Sequence, residues 1–112
     1  MFPSSTKVFK AIRRIEQQIA TINAIHQEIC DKSKPFMDII RVQNFLICIR
    51  MNLSLMQDDY IDACVIFTKA IVCFSRQQMA AYEEKIFEIE SMVTKRETEI
   101  LEFIAKIHEL IL

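Results

Sequence analysis

From residue 77 to residue 112 apolar side chains return at alternating steps of three and four: Met79, Tyr82, Ile86, Ile89, Val93, Ile100, Phe103, Ile107 and Leu110. Arg96 takes the one seam position that is not apolar. Such a row is a heptad seam. A helix of that length spans about 54 Å at 1.5 Å per residue, too far to be covered by a compact turn. It requires a long partner.

The rest of the composition agrees with helices and with little else. Glycine is absent, the only prolines are Pro3 and Pro35, and 52% of the residues are hydrophobic, which excludes glycine turns and tight hairpins. The expected fold is all-α: long amphipathic helices forming an elongated bundle or coiled coil, one domain over residues 1–112. Fourteen basic and fifteen acidic residues leave a net charge of −1, spread along the chain. That distribution gives no footprint for nucleic acid or anionic lipid. Charged residues cut every apolar run short of the ~20 residues a membrane span needs. The four cysteines, Cys30, Cys48, Cys64 and Cys73, show no Cys-x-x-Cys spacing, and residues 2–10 lack a secretory pattern. Reduced, buried thiols in a cytoplasmic or nuclear protein, with any membrane contact made through partners, are the expectation.

Four helices are predicted, at residues 5–32, 35–56, 59–74 and 76–112. In the first, Ser4, Ser5 and Thr6 supply a cap, and Val8, Ile12, Ile15, Ile19, Ile22, His26 and Ile29 form a second heptad row. Arg13, Arg14, Glu16, Gln17, Gln18 and Gln27 make its wet back. Around Pro35 the chain breaks, with Ser33 as the expected N-cap of the next helix. From Phe36 to Met56 apolar residues cover nearly the whole circumference, and a helix apolar all round is buried all round. Residues 57–60 (Gln-Asp-Asp-Tyr) read as a polar connector in which Asp58 or Asp59 caps the third helix. Ser75 and Gln78 have the spacing of a capping box before the last helix.

Candidate chemistry is sparse. His26 interrupts an isoleucine row, with Cys30 one turn on, which suits a metal ligand, a pH switch or a polar core residue that sets register. Two residues do not make a metal site, and His108 is expected in water. The Asp58–Asp59 pair stands at a predicted helix start, where a cap is the simpler role than acid–base catalysis. No catalytic, cofactor-binding or metal residue is assigned, and the chain is read as non-enzymatic. Arg96 is expected to snorkel, to pair with a carboxylate, or to mark a parting of the helices. The charged residues flanking the last seam suit either partner choice or solubility.

The segment 45–71, FLICIRMNLSLMQDDYIDACVIFTKAI, resembles a pattern in helical-rod vesicle tethers, namely the fourth-subunit family of the conserved oligomeric Golgi complex. In that pattern an apolar helix ends in a short Asp-Tyr turn and an Ala-bearing helix follows; Leu55, Asp59, Tyr60 and Ala63 carry the match, with Tyr82 to Glu99 in place of a further amphipathic helix. Those subunits are several times longer. The resemblance implies docking of membranes through partner subunits, with no active site. Asp59-Tyr60-Ile61-Asp62-Ala63 and Lys69-Ala70-Ile71 also echo a tetratricopeptide repeat, but no second copy follows at that period.

The expected function is therefore a helical subunit or adaptor that assembles with other helical subunits, or with itself, through its seams. The expected interface is Ile12, Ile15, Ile19, Ile22, Ile86, Ile89, Ile100 and Phe103. The competing expectation is a self-contained four-helix module that binds a peptide or apolar ligand in a groove among Phe36, Phe45, Phe67 and Phe74.

Overall fold

The computed structural model describes the backbone of residues 3–112 and the side chains from Thr6 onward. Three long helices account for nearly all of it: α1 (Pro3–Ser33), α2 (Ile40–Ile71) and α3 (Arg76–Ile111). No strand occurs among the described residues. The molecule measures 56 × 17 × 16 Å, so its long axis matches the length of α3. It is an elongated all-α bundle.

The helices run up, down and up. Between α1 and α3 the contacts Lys7–Glu83, Arg14–Glu90 and Gln18–Thr94 all join residues 76 positions apart, as two parallel helices in register require. Between α1 and α2 the Phe9–Phe67 and Glu16–Tyr60 contacts lie seven residues apart on each helix, counted in opposite directions. α2 is thus antiparallel to both neighbours.

Both reversals are built without glycine, and no described residue has a positive φ. α1 does not end in a left-handed cap; it tightens into a 3₁₀ turn, Lys34–Phe36, that carries Pro35. The missing N–H of Pro35 stops α-helical bonding there. α2 then starts after Ile39 in extended conformation, without a side-chain cap, and the Gln43 amide side chain donates to the Met37 carbonyl. Ser33, the expected cap, instead closes α1. It is fully buried, and its Oγ has no hydrogen-bond partner among the described residues. The second reversal matches the sequence: Ser75, extended at φ −92°, accepts from the Gln78 N–H at 3.3 Å and starts α3.

The helix count differs from the prediction. Residues 57–60 form no connector but continue α2, and Asp58 and Asp59 lie in its middle. The polar pair does not break the helix because its demanding members are satisfied sideways. The Arg96 Nε–H of α3 donates to Asp59 Oδ2 at 2.8 Å, and the Tyr60 hydroxyl donates to Glu16 Oε1 of α1 at 2.7 Å. At the N-terminus, α1 begins at Pro3, ahead of the Ser4–Thr6 cluster expected to cap it.

Three rows with a seven-residue repeat fill the interior. They are Val8, Ile15, Ile22 and Ile29 of α1; Val42, Ile49, Met56, Ala63 and Ala70 of α2; and Met79, Ile86, Val93, Ile100 and Ile107 of α3, each at most 2% exposed. Each isoleucine so buried contributes about 1.5–3 kcal/mol before conformational entropy is subtracted. Among the described residues, Asp59 and Arg96 are the charged pair set into this wall, with side chains 9% and 21% exposed.

Candidate interaction surface

The seam residues expected to meet other subunits face inward. Ile12, Ile15, Ile22, Ile86, Ile89 and Ile100 are buried, and Ile19 and Phe103 are half-buried against the same cluster. This corrects the expectation that α1 and α3 zip onto other molecules through these rows. Continuous through residues 57–60, α2 is long enough to lie against both partners over most of their length, so each of the three helices covers the stripes of the other two.

The longest apolar row left uncovered among the described residues is on the back of α2; Phe87, Met92 and Leu101 of α3 are also exposed. The outward side chains of α2 follow a second row at steps of four and three, through Ile40, Asn44, Ile47, Met51, Ser54, Asp58, Ile61 and Val65. Ile40 is 69% exposed, Met51 61%, Ile61 58% and Ile47 51%, with Val65 and the neighbouring Leu55 also open to solvent. The all-round greasiness of this helix is therefore real, but only one side of it is buried. In α1 the outward positions are held mostly by Arg13, Gln17, Thr21, Asn23 and Gln27, and among its described side chains Phe9 is the exposed large apolar residue.

The grooves on either side of α3 differ in the same sense. The α1–α3 groove is zipped by polar contacts: Arg14 grips Glu90 through Nε at 2.6 Å and Nη2 at 3.0 Å, and Gln18 donates to Thr94 Oγ1 at 3.1 Å. The Glu90 carboxylate raises the Arg14 pKa, chiefly through that hydrogen bond. The α2–α3 groove, about 460 Å³, is lined by the exposed Val65 and Met92, the buried Ile66, Ile89 and Asp59, and the exposed charges of Asp62, Lys69, Lys85 and Glu88 at its rim. It opens beside the uncovered row of α2.

The remaining sequence candidates fall elsewhere. His26 Nε2 and Cys30 Sγ are 3.2 Å apart on α1. Burial, and secondarily Arg50, lowers the His26 pKa, while burial pushes the Cys30 thiol up. At neutral pH the contact therefore joins a thiol to a neutral imidazole, the reverse of an activated thiolate pair. No group of three or more His, Cys, Asp or Glu that could hold a metal occurs among the described residues. His108, expected in water, is half-buried. Tyr60 has its pKa raised, first by its hydrogen bond to Glu16. The four phenylalanines of the expected ligand groove do not converge. Phe45 packs on Phe103 and Phe67 on Phe9, about 33 Å apart along α2, while Phe74 is 89% exposed in the second reversal.

The fold and its surface define an antiparallel three-helix bundle with one helix left open on its outer side. Comparisons with protein-family models, curated proteins and solved structures found no significant match. No helix among the described residues is long and apolar enough to cross a membrane.

Proposed function

We propose that this chain is a non-enzymatic assembly subunit: a preformed helical rod that docks a helix along the outer side of α2. One observation carries the reading. A row at the four-three spacing by which helices recognise one another holds Ile40, Ile47, Met51, Ile61 and Val65 in water at about half or more of their possible exposure, with Asn44, Ser54 and Asp58 between them. Burial of that row by a partner helix supplies the driving force, and the rim charges of the α2–α3 groove supply orientation. Four free, half-buried thiols are in keeping with a reducing, cytoplasmic setting.

Vesicle tethering, implied by the sequence resemblance, has thinner support. Leu55, Asp59, Tyr60 and Ala63 lie within one continuous helix, so the helix–turn–helix pattern they matched is not formed. Assembly through α2 does not depend on it.

The reading is tested by placing a photo-crosslinking amino acid at Met51, or at Gln17 on the wet back of α1, and irradiating the protein in its native source. Adducts are expected from position 51 and not from position 17, with the crosslinked peptide mapping to a helix. Adducts at 17 alone, or none at either position, would sink it.

A further inference from the structure

We infer that the partner of the open row of α2 is a second copy of the same chain, lying antiparallel across a two-fold axis at Ser54. This deepens the assembly reading above and rests on it. About Ser54, Ile47 and Ile61 stand seven residues to either side and Ile40 and Thr68 fourteen, while Met51 and Val65 are set opposite Gln57 and Gln43. In a two-fold pair, residue i meets j and j meets i. Ile47 then packs on Ile61 of the second copy and Ile61 on its Ile47. Ser54, small and exposed, sits where the two helices cross and lets them approach closely.

Charge selects the same arrangement. Arg50 lies four residues before Ser54 and Asp58 four after it; both are exposed, and neither joins an ion pair within the described residues. Antiparallel pairing sets Arg50 against Asp58 of the second copy, twice over. Parallel pairing would set arginine on arginine and aspartate on aspartate, which repel. A strip the length of α2, about 48 Å, and one helix wide, 10–12 Å, is on the order of 500 Å² per copy. The pair buries about 1,000 Å² in all, enough for a specific interface but below the usual size, so the dimer is weak and exchanges.

Sedimentation equilibrium of the whole chain tests the inference, with circular dichroism melting to show that each variant remains folded. The wild type is expected to dimerise reversibly in the micromolar range. Arg50→Asp and Asp58→Arg, each alone, should weaken the dimer about tenfold or more, because each meets a like charge at both ends of the pair. An equimolar mixture of the two variants should recover wild-type affinity as a heterodimer, since every contact is then opposite in sign. A wild type that stays monomeric at its highest attainable concentration overturns the inference, as does a dimer that ignores the single reversals or is not restored by mixing. A monomer that still crosslinks from position 51 to a different protein overturns self-pairing alone; a monomer with no such adduct overturns the assembly reading as well.

Discussion

The two sides of α2 contain similar side chains at the same spacing and meet opposite fates. On the inner side Val42, Leu46, Ile49, Leu53 and Met56 are at most 5% exposed; on the outer side Ile40, Ile47, Met51 and Ile61 are all more than half exposed. Hydrophobicity alone does not decide which row is covered by its own chain. The polar residues within each row do distinguish them. The inner side tolerates a charge only at Asp59, held by Arg96 at 2.8 Å, whereas the outer row carries Asn44, Ser54 and Asp58, all exposed. An intramolecular wall makes a charge costly unless it is paired on folding, while a face that must also exist in water carries groups that water can serve.

The largest expected effect contrasts neighbours two residues apart. Ile49→Ala removes a fully buried side chain and should cost about 2–5 kcal/mol, whereas Ile47→Ala, read by urea unfolding in dilute solution, should stay within about 0.5 kcal/mol. Equal losses would erase the distinction between the two sides.

Next comes the charge within the wall. Asp59→Ala leaves the Arg96 guanidinium without its carboxylate and should cost about 2 kcal/mol, with Asp58→Ala near zero. Replacing both partners, Asp59→Leu with Arg96→Leu, should recover most of that loss, because two desolvated charges are exchanged for apolar contact. A double variant no better than Asp59→Ala alone would show that the pair contributes more than mutual neutralisation.

Smaller still is Ser33→Ala. The hydroxyl is already buried without a partner, so its removal should be neutral or stabilising by up to about 1 kcal/mol. A clear loss on urea unfolding would mean that the Ser33 hydroxyl is hydrogen-bonded in the folded chain.

The smallest effect is one of pH. Folding lowers the His26 pKa below its ordinary 6.5 by burial first and Arg50 second. The unfolded chain therefore takes up its proton at higher pH than the folded one. Stability is full above the ordinary imidazole value and declines as pH falls through the window between that value and the lower folded one. Glu28, whose carboxyl is lowered by Lys32, acts only in a separate window below 4.5. Urea midpoints should thus fall slightly on acidification through the histidine range, and His26→Gln should flatten that slope. Arg50→Ala, on the flank of the outer row, should reduce it in part.

Much of the fold was legible in the sequence. The heptad rows of α1 and α3 gave their helices to within a residue or two, and Ser75 with Gln78 marked the start of α3. The continuity of α2 was not legible, because Asp58 and Asp59 have the local form of a helix cap. Only the distant Arg96 and Glu16 show why the helix runs through them. The candidate interface failed for a related reason: a seam states that a helix will cover it and not which one. Once α2 is seen to be continuous, the isoleucines of α1 and α3 are already covered, and the uncovered row must be sought on α2 itself.

The shared seven-residue repeat of the three inner rows makes the rod modular in length. Removing one heptad from each helix at matching levels would yield a shorter version, by about 10.5 Å, with every layer still meeting its neighbours. Loss of a single residue in mid-helix would instead turn all that follows by about 100°, putting the lining of the bundle outside and its charged exterior within. Change in this chain is thus expected to come in whole heptads.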